Sequence, residues 1–311
     1  MQFSLFSFIH FKEYFMNRRT FLQTAALSAL AATSLSPLTS AQAPLQRARE
    51  NRQARLDARR GQTPTKIPIG VQLYSIRNAA QRDLAGTLAA IAKMGYDGVE
   101  FAGYYNKDPK DIRKMLDDTG LKCCGTHTGF GELSDERFER TIEIHKTLGT
   151  KFILVPGGLS NNDLAKLTEW VNEFNRISEK ARALDMYIGY HAHGYDSNLL
   201  EGIPAWQRFF DATVKDVVHQ MDFGNYKDGG GDPYAMIERY PGRSKTVHLK
   251  EGGQRAPGNP VIGGGTVDWK RVFELCETIG GVEWYVVEDE IGPDNLDRIE
   301  RSIAALREMG K

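Results

Sequence analysis

Residues 84–104 read LAGTLAAIAKMGYDGVEFAGY. Leu84, Leu88, Ile91 and Met94 recur at three- and four-residue spacing, which gathers them on one face of a helix, and Gly95 supplies the stop. Gly98–Tyr104 follows at once, with the Val, Phe and Tyr content of a short strand. A helix that yields to a strand across Gly95-Tyr96-Asp97 is the repeating unit of an α/β fold.

The same alternation runs outward in both directions. The spacing predicts strands at Ile67–Tyr74, Gly98–Tyr104, Lys122–Thr128, Phe152–Pro156, Tyr187–His193, His219–Phe223, Thr246–Lys250 and Trp284–Glu288. Helical patterns lie between them. Phe138, Ile142, His145 and Leu148 end at Gly149, and Leu164 to Leu184 carries the longest stripe. Eight such units within residues 67–311 are the number and length of a (β/α)8 TIM barrel forming a single domain. An open doubly wound sheet usually places a Gly-rich phosphate loop after its first strand. Gln72-Leu73-Tyr74-Ser75-Ile76-Arg77 has none, and Gly229-Gly230-Gly231 and Gly263-Gly264-Gly265 match neither a P-loop nor a dinucleotide fingerprint.

The chain ahead of the barrel reads differently. Asn17-Arg18-Arg19-Thr20-Phe21-Leu22 precedes an apolar run from Thr24 to Leu38, and Ala41-Gln42-Ala43 offers small residues for cleavage. We read residues 1–43 as a signal peptide of the twin-arginine type, with Met16 as the expected true start. This predicts a periplasmic or otherwise exported bacterial protein whose precursor meets the twin-arginine export machinery. Residues 44–66 are polar and basic and read as a linker. No run of about 18 apolar residues is present, so no stable membrane span is expected.

The formal net charge is zero, yet residues 1–66 are basic enough that residues 67–311 carry −7. An acidic barrel repels a phosphate backbone, which argues against a nucleic-acid partner. Cys123, Cys124 and Cys276 cannot build a disulfide framework and do not pair at zinc-ribbon spacing. They read as buried filler.

Barrel chemistry gathers at the carboxyl ends of the strands. Six of the eight strand ends deliver a His, Asp or Glu: Glu100, His127, His191 with His193, Asp222, His248 and Glu288. Taken singly, such a His is more often a hydrogen-bonded structural group, and such a Glu is usually solvated. Together they would repel and desolvate one another, and a divalent cation removes that cost. Imidazole plus carboxylate donors suit Mn, Co, Zn or Fe better than Mg.

Ile69-Gly70-Val71-Gln72-Leu73-Tyr74-Ser75, Gly95-Tyr96-Asp97-Gly98-Val99-Glu100, Tyr190-His191-Ala192-His193, Asp222, His248-Leu249-Lys250-Glu251, Gly263–Trp269 and Glu288 occur in an order that resembles the xylose isomerase-like superfamily of barrels. The likeness is to the sugar phosphate isomerase/epimerase family and covers residues 67–311. It implies one divalent metal held by His191 or His193, Asp222, His248 and Glu288, and a metal-dependent isomerase or epimerase. Many members of that family place a Glu where this chain has His191. In the epimerases that Glu and the one on the eighth strand are proton shuttles on opposite faces of the sugar.

The expected substrate is a small unphosphorylated carbohydrate or keto-sugar, because export removes the chain from phosphorylated sugars. The chemistry is proton abstraction next to a carbonyl, with isomerisation or β-elimination (a dehydratase or lyase) ahead of two-face epimerisation. Glu288 is both ligand and candidate base. Glu100, His193, Lys250 and His127 are candidate acid, base or hydroxyl-binding groups, with a Glu100–Lys250 ion pair as the bland alternative for those two. Tyr74, Phe101, Phe130, Phe223 and Trp269 are candidate stacking walls. Two rivals remain at this stage. A non-enzymatic periplasmic carbohydrate-binding protein would not need the ligand set, and an abasic-site endonuclease would need a basic face. The sequence is compatible with a homo-oligomer.

Overall fold

The computed structural model describes residues 66–311 except 161, 255 and 293. The segments expected to be a signal peptide (residues 1–43) and a linker (residues 44–66, apart from Lys66) lie outside the described residues. Among the described residues no helix is long and apolar enough to cross a membrane.

All eight expected strands form. They are β1 (Ile69–Gln72), β2 (Gly98–Ala102), β3 (Lys122–His127) and β4 (Phe152–Val155). They continue as β5 (Tyr187–His191), β6 (Val218–Gln220), β7 (Thr246–Leu249) and β8 (Trp284–Val287). Seven parallel pairings order them β6-β5-β4-β3-β2-β1-β8-β7. The ring closes where Asp222 and His248 form a parallel bridge and the His248 N–H donates to the Met221 carbonyl at 2.8 Å. This is the expected (β/α)8 barrel.

Local chemistry explains the helices that matter here. In the opening stretch, Leu84–Met94 is capped by the Asp83 carboxylate on the Gly86 N–H and ends at Gly95 with φ 89°. That left-handed stop is open to glycine at little cost. Asp135–Leu148 and Leu164–Arg182 follow the stripes read from the sequence. Leu88, Ile91, Phe138, Ile142, Leu167, Phe174 and Ile177 join one buried apolar core between helices and strands. A second small cluster of Phe152, Leu154 and Val218, with Tyr187 and Trp284 against it, fills the amino end of the barrel. Polar side chains are thereby left for the carboxyl end.

The sixth strand differs from expectation. It stops at Gln220, and Asp222 instead caps the helix Phe223–Asp228 by accepting from the Asn225 N–H. An N-cap carboxylate satisfies a helix donor that has no other partner, so the helix starts at once. Cys123, Cys124 and Cys276 are free and buried, as expected.

Candidate metal centre

Strand register decides which side chains meet. Gln72 is in register with Glu100, Glu100 with Gly125, His191 with Gln220, and Val286 with His248. Gly125 leaves space for the neighbouring carboxylate, since a Cβ there would lie 2.8 Å from Glu100 Oε1. His191, Asp222, His248 and Glu288, all buried, bring one donor atom each to within 4.8 Å of one another. His248 Nδ1 is 3.2 Å from Glu288 Oε2 and 3.9 Å from Asp222 Oδ2, and His191 Nε2 is 3.9 Å from Glu288 Oε2. Asn225 orients Asp222 through its N–H on Oδ1 (2.7 Å) and its Nδ2 on Oδ2 (3.0 Å). His127, His191 and His248 form an overlapping trio, but His127 Nε2 is already 3.1 Å from Gln220 Oε1.

Glu100 lies behind the cluster and is completely buried. Its carboxylate meets His248 Nε2 at 2.6 Å, Gln72 Nε2 at 3.1 Å, Gln220 Nε2 at 2.9 Å and His127 Nε2 at 3.3 Å. Burial alone would raise its pKa, but His127 and His248 outweigh that and hold it below the usual carboxylate range. A carboxylate on the far nitrogen of a ligating imidazole fixes the tautomer and turns the near nitrogen toward a metal. Glu100 therefore stands behind His248 with its own side chain fully buried, in the position of a group that orients the imidazole. It does not pair with Lys250, whose ammonium meets Glu290 at 2.6 Å and Glu288 at 3.7 Å.

The buried groups of the cluster perturb one another strongly. Burial opposes charge on His248, yet Glu100 and Glu288 on its two sides lift its pKa to about 10. Burial drives Asp222 well above the carboxylate range; Lys250 opposes this and Glu288 reinforces it. Burial acts the same way on Glu288, but Lys250 and His248 hold it well below its range. His191 is kept neutral by burial, with His248 and His127 adding to the effect. Its buried Nδ1 has no hydrogen-bond partner. Two carboxylates, two imidazoles and a buried nitrogen without a partner fit a divalent ion of borderline softness.

The fifth strand offered two histidines, and His191 rather than His193 joins the cluster. His193 sits two residues on, its ring edge-on to His191 at 4.8 Å, stacked on Tyr195 at 5.1 Å, with a buried Nδ1 lacking a partner. Its backbone N–H donates to Asp196 at 2.7 Å, and the Tyr190 hydroxyl donates to the same carboxylate at 3.2 Å. Burial pushes Asp196 up to about 7 against those two donors. Of the aromatic walls only Tyr74 is exposed. Phe101, Phe223 and Trp269 are buried, and Phe130 stacks on Trp170 and Phe174, because each fills a gap between helix and strand. Glu251 organises the Gly263–Trp269 run by accepting from Gly263 N, Val267 N and Trp269 Nε1.

Gln72, Gln220, Asn225 and Asp196 were not singled out from the sequence. A neutral amide inside an apolar strand, as at Gln72 and Gln220, is the signal that would have found two of them.

A parallel barrel with His, Asp and Glu donors at the carboxyl ends of β5 to β8 defines a TIM-barrel protein with a metal-type site. Residues 88–309 match the family described as xylose isomerase-like TIM barrel, and the chain belongs to that family. It is 26% identical over 250 residues to an inosose dehydratase of Lacticaseibacillus casei, across 68% of this chain and 83% of that protein. It is 23% identical over 227 residues to a 3-dehydroshikimate dehydratase of Pseudomonas aeruginosa, across 67% of this chain and 34% of that one. Among solved structures, a sugar phosphate isomerase/epimerase from Parabacteroides distasonis superposes with a TM-score of 0.68 at 24% identity. That match covers 79% of this chain and 95% of the other, and it is a likeness of fold.

Proposed function

We propose that the barrel is a divalent-metal-dependent lyase that takes a proton from the carbon beside the ketone of an unphosphorylated keto-sugar or keto-glycoside and expels a β-hydroxyl or β-alkoxy group. His191, Asp222, His248 and Glu288 would hold the ion, with Mn, Co, Zn or Fe favoured over Mg by the donor set. When bound, it would supply Lewis-acid polarisation of the ketone oxygen. His193 is the base: it stands beside the cluster, and burial keeps it neutral with Nδ1 uncommitted. The C–H electron pair becomes the new C=C bond, and the β C–O pair leaves on oxygen, which takes the proton from His193 and departs as water or an alcohol. Lys250, held charged against burial by Asp222, Glu288 and Glu290, faces the negative charge that develops.

The observation that carries this reading is the commitment of the carboxylates at the mouth among the described residues. Glu100 is sealed on His248, Asp222 and Glu288 belong to the donor cluster, Asp289 pairs with Arg298, Glu290 with Lys250, Glu251 holds the Gly263–Trp269 run, and Asp196 accepts from the His193 N–H and the Tyr190 hydroxyl. A single base, His193, supports single-face chemistry. The dehydratases among the relatives support elimination. Isomerisation is the second reading, because His193 could return the proton on the same face to the neighbouring carbon.

Turnover of candidate keto-sugars in D2O, followed by NMR, tests this. An unsaturated ketone is expected from elimination, and a same-face deuterated aldose–ketose pair from isomerisation. Deuterium at a carbon whose configuration has inverted would overturn both, since inversion needs a second base.

A further inference from the structure

A cleft of about 590 Å³ opens beside β1 and β2, lined by Tyr74, Arg77, Asn78, Gln81, Tyr105 and Asn106 together with the chain at Ala102–Tyr104. Tyr74 follows Gln72 by two residues and donates its N–H to Gln72 Oε1 at 3.0 Å, while Gln72 Nε2 holds Glu100. Ala102 likewise follows Glu100 by two residues. The cleft therefore lies at the carboxyl end of the barrel, and its strands stand across the ring from β5 and β6.

The lining is specific in its chemistry. Tyr74 is 42% exposed, and the Arg77 guanidinium lies 4.2 Å from its ring centroid while donating to the Tyr74 carbonyl at 2.8 Å. Asn78, Gln81 and Asn106 are exposed amides, each offering a donor and an acceptor side by side. The Tyr105 hydroxyl is buried without a hydrogen-bond partner. A buried polar group left in that state is costly, and because Tyr105 lines the cleft a turn of its side chain would bring the hydroxyl to a ligand hydroxyl that relieves it. Tyr105 and Asn106 also hold successive left-handed conformations, at φ 52° and 56°. Such conformations in residues other than glycine persist where the surrounding structure requires them.

Neutral amides, one aromatic face and an unsatisfied hydroxyl match a ring bearing several hydroxyl groups. They do not match a phosphate, for among the described residues Arg77 is the single cation of the lining and is already engaged with Tyr74. We infer that this cleft binds a second sugar ring, so that the substrate is a disaccharide or larger glycoside with its reacting ring at the metal centre. The inference rests on the carbohydrate reading above. Its test reads binding rather than turnover, so failure of the elimination reading would not be mistaken for failure of the subsite.

The experiment uses the zinc-loaded full chain and measures the affinity of cellobiose, maltose and sucrose against methyl β-D-glucopyranoside by saturation-transfer NMR. At least one disaccharide should bind about tenfold more tightly than the monosaccharide glycoside, the ratio expected for a stacking contact plus a hydrogen bond. Tyr74→Ala should erase that advantage. Tyr105→Phe, which removes only an oxygen, should reduce it, with zinc content and melting temperature unchanged. The inference is overturned if no disaccharide exceeds the monosaccharide glycoside, or if the advantage survives both substitutions.

Discussion

Asp222 and His248 pair across the last seam of the barrel, with Asp222 Oδ2 3.9 Å from His248 Nδ1. Closing the ring and assembling the donor cluster are therefore one event. Anything that binds only the folded form stabilises it by mass action, about 2.7 kcal/mol at a hundred times the dissociation constant. Purified protein should carry close to one equivalent of a transition metal, and chelation should lower its melting temperature. His248→Ala and Glu288→Gln should each lose the ion and the activity; full metal content in both would show the site to be misplaced.

Glu100 reaches the cluster only through His248 Nε2. Glu100→Gln keeps the shape and removes the charge that orients the imidazole. Metal affinity should fall by about 10- to 100-fold, as for other carboxylate partners of ligating histidines. A competition titration with a chromophoric chelator measures this, and an unchanged affinity would refute the positioning role.

His193 should matter to rate and not to metal. Replacing it by Gln should lower kcat by about 100-fold or more, the usual contribution of a positioned base. Metal content should stay at the wild-type level. Retention of the wild-type rate would transfer the base role to another group.

His145 sets part of the acid stability. It is buried in the helix Asp135–Leu148, 2.6 Å from both the Thr141 carbonyl and Thr126 Oγ1, and burial lowers its pKa from 6.5 to about 4 against the Thr141 contact. A depressed folded pKa means the contribution is present above pH 6.5 and is lost as pH falls through the folded value. The full span is worth about 3 kcal/mol. Urea midpoints at about pH 7.5 and about pH 4.5 should differ less in His145→Gln than in the wild type. Equal pH dependence would count against this linkage.

The expectation of export rests on Arg18-Arg19 and the apolar run behind them. Changing both to Lys should trap precursor inside the cell. Unchanged periplasmic delivery would leave ordinary secretion in place of the twin-arginine route.

Periodicity made the fold legible. Every strand lies within the range read for it except β6, which begins one residue earlier and stops short at Gln220. That boundary moved because Asp222 can serve equally as a strand end or a helix cap, and only the Asn225 N–H decides between them. The donor set was legible as residue types at strand ends, and the resemblance narrowed it to four positions with one ambiguity. The choice of His191 over His193 was not legible. Alternate residues of a strand share a face, so both could reach the mouth until the chain turns at Gly194.

Composition and spacing determined the barrel, the depth at which its ionisable groups sit, and the residue types able to hold a cation. The contacts and burial of those groups came from the tertiary structure alone. Glu100 is a sealed carboxylate behind a histidine because register sets it against Gln72 and Gly125, and ring closure delivers His248 to it from 148 residues away. A side chain's chemistry depends on its burial and its neighbours. In a barrel those neighbours come from strands far apart in sequence, so no local pattern encodes them.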